Sequence, residues 1–222
     1  MRILLTGTTG LVGQGVLNEC LRDPSLSQVV ALVRRPTAQS NPKYAEIVVA
    51  DFGDVSAIED HLYPFDACLY CAGVLAPGMS EADYRHVTLD LTLHVARTLV
   101  KLNPRLTFVY ISGAGSDPGS WLMPLRVKGE TERALAALPM RTILLRPGVI
   151  QPVEGVHSPH PALAVFYGLA NPLMGMGVRM APRLMTTTAH VGRAMLRLLH
   201  EADPQAIVEN DEINRLGAER SA

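Results

Sequence analysis

Met1-Arg-Ile-Leu-Leu-Thr-Gly-Thr-Thr-Gly-Leu-Val-Gly13 opens the chain and decides its architecture. Arg2 to Leu5 is an apolar run of strand length, and Leu11, Val12, Val16, Leu17 and Leu21 then recur at helical spacing. Between strand and helix lie Gly7, Gly10 and Gly13, spaced G-x-x-G-x-x-G rather than G-x-G-x-x-G. Strand, glycine turn, helix is the setting in which such spacing means dinucleotide binding. Glycines there permit the sharp turn, admit a pyrophosphate to the backbone N–H groups and let helix and strand pack closely. The turn contributes Gly7, Thr9, Gly10, Leu11, Val12 and Gly13 to the expected cofactor-binding set.

Working outward, Gln28–Val33 reads as a second strand and 46–50 as a third, and Asp54 as the cap of a short helix through residue 60. Further strands are expected at 67–72, 106–111 and 141–146, and helices at 82–101 and 125–138. Short apolar strands alternating with amphipathic helices give an α/β fold, a Rossmann-type doubly wound parallel sheet. Beyond Gly148 the texture changes to a proline-rich stretch with little periodicity, including the apolar piece 162–167. Thr187 or Thr188 then caps a helix carrying Val191, Ala194, Met195 and Leu198. The whole of 1–222 is expected to be one domain, with 151–186 as a lid over the carboxyl edge of the sheet.

Composition narrows the function. A hydrophobic content of 48% with 18% charged residues describes a globular chain, and a net charge of −1 offers no general attraction to nucleic acid. Pro172, Gly175, Gly177 and Arg179 interrupt the C-terminal apolar stretch too early for a membrane span. Met1 leads straight into the first strand, so the expected location is cytoplasmic. Cys68 and Cys71 match C-x-x-C, but an extended chain points them to opposite faces and no second pair completes a zinc site. Two buried thiols are the better reading, and no metal is expected.

The residue that reads the adenosine ribose falls about twenty positions past the glycine turn. That count lands on Arg34 and Arg35. An acidic side chain would accept the 2′-hydroxyl, whereas two guanidiniums offer paired donors to a 2′-phosphate. NADP(H) is therefore expected in preference to NAD(H). Asp51 fits either a bond to the adenine amino group or a turn, with Phe52 beside the base. Cys71, Ala72 and Gly73 are small enough for a ribose to lie against the backbone. Ser112 follows the fifth strand, and Lys128 lies on the inward stripe of the 125–138 helix with Leu125 and Leu135. A lysine there must snorkel to water or find a partner, and a cofactor ribose is such a partner.

Thr6 to Gly13, Ala31 to Arg35, Cys71 to Gly73, Ile111-Ser112, Arg126 to Glu130 and Arg146-Pro-Gly-Val149 occur in that order. Together they resemble an atypical short-chain dehydrogenase/reductase of the NAD(P)-binding, epimerase-related kind, nearest to the Tat-interacting oxidoreductase-like subgroup. The resemblance covers residues 1 to about 150 closely and 186–200 loosely. It implies that Lys128 bonds the nicotinamide ribose, that Pro147, Gly148 and Val149 flank the nicotinamide, and that Ser112 orients a substrate oxygen. The family's proton-donating tyrosine stands four residues before the lysine, where this chain has Pro124. Its helix-borne asparagine aligns with Thr88. Proline carries no proton, so Ser112, water or a lid residue such as His157 or Tyr167 must serve if chemistry occurs. The expected function is an NADP(H)-binding oxidoreductase, monomeric or homodimeric, acting on an unknown small molecule. The alternative is a non-catalytic NADP(H) sensor that binds a protein.

Overall fold

The computed structural model describes residues 1–158, 167 and 174–218. Strand β1 (Arg2–Thr6) leads through the glycine turn into helix α1 (Leu11–Arg22), and β2 (Gln28–Val33) follows at the expected bounds. Then come β3 (Tyr44–Val48), a 3₁₀ turn (Ser56–His61) and β4 (Ala67–Tyr70). Helices α2 (Glu81–Arg85) and α3 (Leu91–Leu102) flank a π-helical turn, His86–Asp90, and β5 (Thr107–Ile111) follows. Helix α4 (Met123–Ala136) precedes β6 (Arg141–Arg146) and β7 (Val149–Gln151). The chain continues through β8 (Met185–Thr187), α5 (Thr188–His200), β9 (Ile207–Glu209) and α6 (Asn210–Ala218).

The main sheet has seven parallel strands in the order β3-β2-β1-β4-β5-β6-β9, and β7 pairs with β8 in a separate ribbon. Parallel strands covered on both faces read as unbroken apolar runs. The four residues of β4 are all buried. Successive side chains alternate between two cores. Leu4, Val30, Cys68, Phe108 and Tyr110 face α3 and α4, whereas Ile3, Leu5, Val29, Leu69 and Val109 face α1 and α5. Each fully buried Leu or Ile contributes about 2 kcal/mol. Cys68 lies in the first core and Cys71 packs against the second, as the alternation requires, and burial pushes both thiols up.

Several boundaries differ from those expected. β3 starts earlier, at Tyr44, because the Tyr44 N–H bonds the Asn41 carbonyl and so closes a turn there. Val55 rather than Asp54 stands at the start of the 3₁₀ turn. The helix expected at 82–101 runs unbroken from Glu81 to Leu102, but its His86–Asp90 turn is π-helical, an insertion with no signature in apolar spacing. β7, β8 and β9 have three residues each, too few for any periodicity to show. The apolar piece 162–166 falls outside the described residues.

Candidate cofactor and active site

The glycine turn stands where the sequence places it, and its geometry excludes side chains. Gly7 adopts φ +74, and a Cβ there would lie 2.5 Å from the Cys71 carbonyl oxygen. A Cβ on Gly13 would lie 2.0 Å from the Gly7 carbonyl oxygen. The Gly10 N–H donates to Gly7 O at 2.9 Å, and Gly10 then caps α1 without a side-chain bond or an acidic residue in the first turn. The first N–H groups of a helix lack partners within it, and the helix dipole favours an anion beside them. Thr8, within the same turn, is 6% exposed, yet its hydroxyl has no hydrogen-bond partner among the described residues. A cradle that tolerates no Cβ at Gly7 or Gly13, lined by free backbone donors and an orphaned hydroxyl, fits a dinucleotide's diphosphate.

The other expected residues follow along the same carboxyl edge. Strands about 4.8 Å apart carry the positions from Arg34, past Gly7 and Ala72, to Ser112 and Pro147, a span of about 19 Å. Thr6 Oγ1 accepts from the N–H groups of Cys71 and Ala72 at 3.2 and 3.1 Å, which ties the ends of β1 and β4 together. Both residues lie just past β4, and Gly73 has open space around it. Arg34 and Arg35 are exposed at the end of β2, with no partner among the described residues. Asp51 turns inward on its own loop, accepting the Gly53 N–H at 2.8 Å, and Phe52 is buried in the core facing α3. Of the two adenine-side candidates, one is engaged in a turn and the other in packing. Thr9, Leu11 and Val12 line the turn and the first turn of α1, and Val12 packs toward the α1–α5 core.

On the far side of the edge, Lys128 reaches inward from α4 and its Nζ donates to the Ser112 carbonyl at 2.6 Å. Burial pushes its ammonium down to about 8, with the Glu132 charge opposing the shift. The Ser112 hydroxyl is buried and donates to Ser116 Oγ at 3.0 Å, which in turn donates to the Gly113 carbonyl at 2.7 Å. The Ala114 N–H bonds the Pro147 carbonyl at 2.9 Å, and the Gly148 N–H bonds Asn210 Oδ1 at 2.7 Å, so this loop, β6 and α6 form one frame. Val149 is exposed and opens β7. Arg146 is engaged within the protein: it holds Glu132 through two bonds, of 2.9 and 2.5 Å, and Glu209 at 3.1 Å. Pro124 occupies the first turn of α4, where its missing N–H costs nothing, and Thr88 is buried in the π turn.

Gln14 escaped the sequence reading. Its amide donates to the carbonyls of Thr9 (3.1 Å) and His157 (2.8 Å) and accepts the His157 N–H (3.2 Å). Residues 153–157 are thereby clipped to the start of α1, and His157 enters through its backbone while its side chain is exposed. No local pattern could have joined positions 143 residues apart. Tyr167 is half-buried, and burial pushes its phenol up.

A family profile described as the NAD dependent epimerase/dehydratase family matches residues 3–118, from β1 through the Ser112 loop. The chain belongs to that family. A relative of this family member, "protein fmp52, mitochondrial" of Emericella nidulans, is 31% identical over 173 residues, which are 74% of this chain and 73% of that protein. The chain spans 52% of the length of one such relative, leucinostatins biosynthesis cluster protein T of Purpureocillium lilacinum, and 74% of another, protein fmp52 of Aspergillus niger. The fold is shared with MoeE5, solved with UDP-glucuronic acid and NAD, at a TM-score of 0.71 and 18% identity over 95% of this chain and 76% of that one. Yeast methylglyoxal/isovaleraldehyde reductase Gre2, solved with NADPH, matches at a TM-score of 0.68 and 14% identity over 91% and 75%. The two solved structures show the fold, and the profile and the fmp52 relatives show the family. The fmp52 relatives also correct the expected cytoplasmic location, because they carry mitochondrial names. The expectation rested on Met1 leading straight into β1, and the start of a strand carries no address.

Proposed function

We propose that this epimerase-family protein binds NADP(H) in preference to NAD(H) and acts as an oxidoreductase on a small molecule. The observation that carries the preference is the pair Arg34 and Arg35, exposed at the end of β2 without a partner among the described residues. Two guanidiniums would bracket a 2′-phosphate, and no carboxylate at that strand end would select a free 2′-hydroxyl. Gly7 to Gly13 would hold the diphosphate, and Cys71 to Gly73 would back a ribose. Asp51 and Phe52 would bound the adenine with backbone and packing rather than with a free carboxylate. Lys128 would exchange or share its bond to the Ser112 carbonyl with the nicotinamide ribose, and Pro147, Gly148 and Val149 would flank the nicotinamide. The bound dinucleotide supplies or accepts a hydride. Ser112 would accept from or donate to the substrate oxygen by releasing Ser116, and the proton must travel by a path other than residue 124.

Fluorescence titration with NADPH and NADH tests this reading. NADPH binds at least about tenfold more tightly, and Arg34→Ala with Arg35→Ala removes that margin without weakening NADH. Tighter NADH binding by the wild type would sink it.

Pro124 favours a second reading, a cofactor-dependent binding module in which the cradle is kept and the acid is lost. Light scattering with and without NADPH separates the two, since a module changes its association and an enzyme turns over a carbonyl substrate.

A further inference from the structure

Arg34 and Arg35 are useful to a phosphate only if the turn that carries them is held in place, and β3 supplies the hold. β2 and β3 run in parallel with Val33 opposite Val48 and Ala31 opposite Glu46. Their connection contains no described helix: the chain passes Val33, turns through Arg34-Arg35-Pro36 and folds back. It is caught at Thr37, whose N–H donates to both Glu46 carboxylate oxygens at 3.2 and 3.1 Å and whose hydroxyl donates to one of them. The Tyr44 hydroxyl donates to the same carboxylate at 2.7 Å. The Gln39 N–H in turn approaches Thr37 Oγ1 at 3.4 Å. One carboxylate thus gathers donors from two elements, and those bonds hold it below the usual carboxylate range, although desolvation works the other way.

The consequence is geometric. The arginine pair is the apex of a hairpin-like bend whose first leg is β2 and whose second leg is fixed on β3 by Glu46. Charge-assisted hydrogen bonds to a carboxylate are the strong ones, and here they anchor a loop that would otherwise be free to swing. The negative charge is occupied by three donors and so opposes a nearby phosphate less than a free carboxylate would.

We propose that Glu46, through Thr37, is a positioning residue for cofactor choice: it fixes the Arg34–Arg35 turn in the pose that receives a 2′-phosphate. This rests on the NADP(H) reading above. A merely structural carboxylate would weaken both dinucleotides alike or lower stability alone. A positioning residue changes their ratio.

The test measures dissociation constants for NADPH and NADH, with thermal melts alongside, on wild type, Glu46→Ala, Thr37→Val and Thr37→Ser. Glu46→Ala lowers the NADPH-over-NADH affinity ratio about tenfold, with NADH unchanged. Thr37→Val lowers the ratio by a smaller factor, and Thr37→Ser, which keeps the hydroxyl donor, restores it. If Glu46→Ala does not fold, the two Thr37 variants carry the comparison, because they leave the carboxylate and β3 intact. Equal weakening of both dinucleotides, or an unchanged ratio while the wild type still prefers NADPH, overturns the role of Glu46 and leaves the 2′-phosphate reading standing. A wild type with no preference for NADPH removes that reading, and the role of Glu46 with it.

Discussion

The two ends of the carboxyl edge are built on different principles. At the β1–α1 end the cradle is backbone: glycines with no room for a Cβ, free N–H groups at a helix start, and two arginines left to solvent. At the β5–α4 end the working groups are side chains already committed to the protein's own polar atoms. Lys128 bonds Ser112 O, Ser112 bonds Ser116, and Arg146 grips Glu132. The first end is poised to receive something, and the second must give up a bond before it does. The two ends thus differ in readiness, one presenting open backbone donors and the other side chains already bonded to the protein.

The largest effect is expected where backbone meets backbone. Gly13→Ala places a methyl group 2.0 Å from the Gly7 carbonyl oxygen, with no flexible side chain to yield. The turn must open, which costs about 3 kcal/mol of stability and removes dinucleotide binding. Chemical denaturation and fluorescence titration report the two losses separately. A variant that keeps wild-type affinity would show that the cradle is not the binding site, and the contrast between the two ends would dissolve.

What could be read in advance follows the same division. Gly7, Gly10 and Gly13, the strand bounds of β2 and β6, and the Arg34–Arg35 position came from spacing, because local backbone chemistry repeats at fixed intervals. On the adenine side the sequence left Asp51 between a base contact and a turn. Asp51 and Phe52 have suitable chemistry, but only the folded turn shows the carboxylate spent on Gly53 and the ring spent on the core. Gln14's hold on His157 and Glu46's hold on Thr37 join positions that share no periodic pattern. Arg146 was read as part of a family segment, and its ion pairs with Glu132 and Glu209 depend on α4 and β9 converging on β6.

That ion pair gives the next prediction, aimed at the second end alone. Glu132 is 4% exposed and carries two bonds from Arg146. Removing one partner of a buried pair leaves a charge without compensation. Glu209 still serves Arg146 at 3.1 Å, so Glu132→Ala is expected to cost about 2 kcal/mol rather than the full amount for an isolated pair. Dinucleotide affinity stays near the wild-type value if the cradle is independent of this frame. A parallel collapse of affinity would show that the two ends fold and bind as one unit, and the contrast would need redrawing.

The smallest effect has the sharpest sign. Burial lowers the Lys128 ammonium from 10.5 to about 8. Below about pH 8 both folded and unfolded chains hold the proton, and the full cost of desolvating the charge is present. Between about 8 and 10.5 the unfolded chain binds more protons, so stability rises with pH until both forms are neutral. With discount for water reaching the half-buried amine, the rise is roughly 2 kcal/mol. Lys128→Met is expected to flatten that profile and to be about 1 kcal/mol more stable at neutral pH, the orphaned Ser112 carbonyl offsetting part of the gain. Urea unfolding at a series of pH values reads both slopes. A wild-type curve as flat as the variant's would mean that the ammonium is solvated like Arg34 and Arg35. The β5–α4 end would then be as open to a ligand as the glycine cradle.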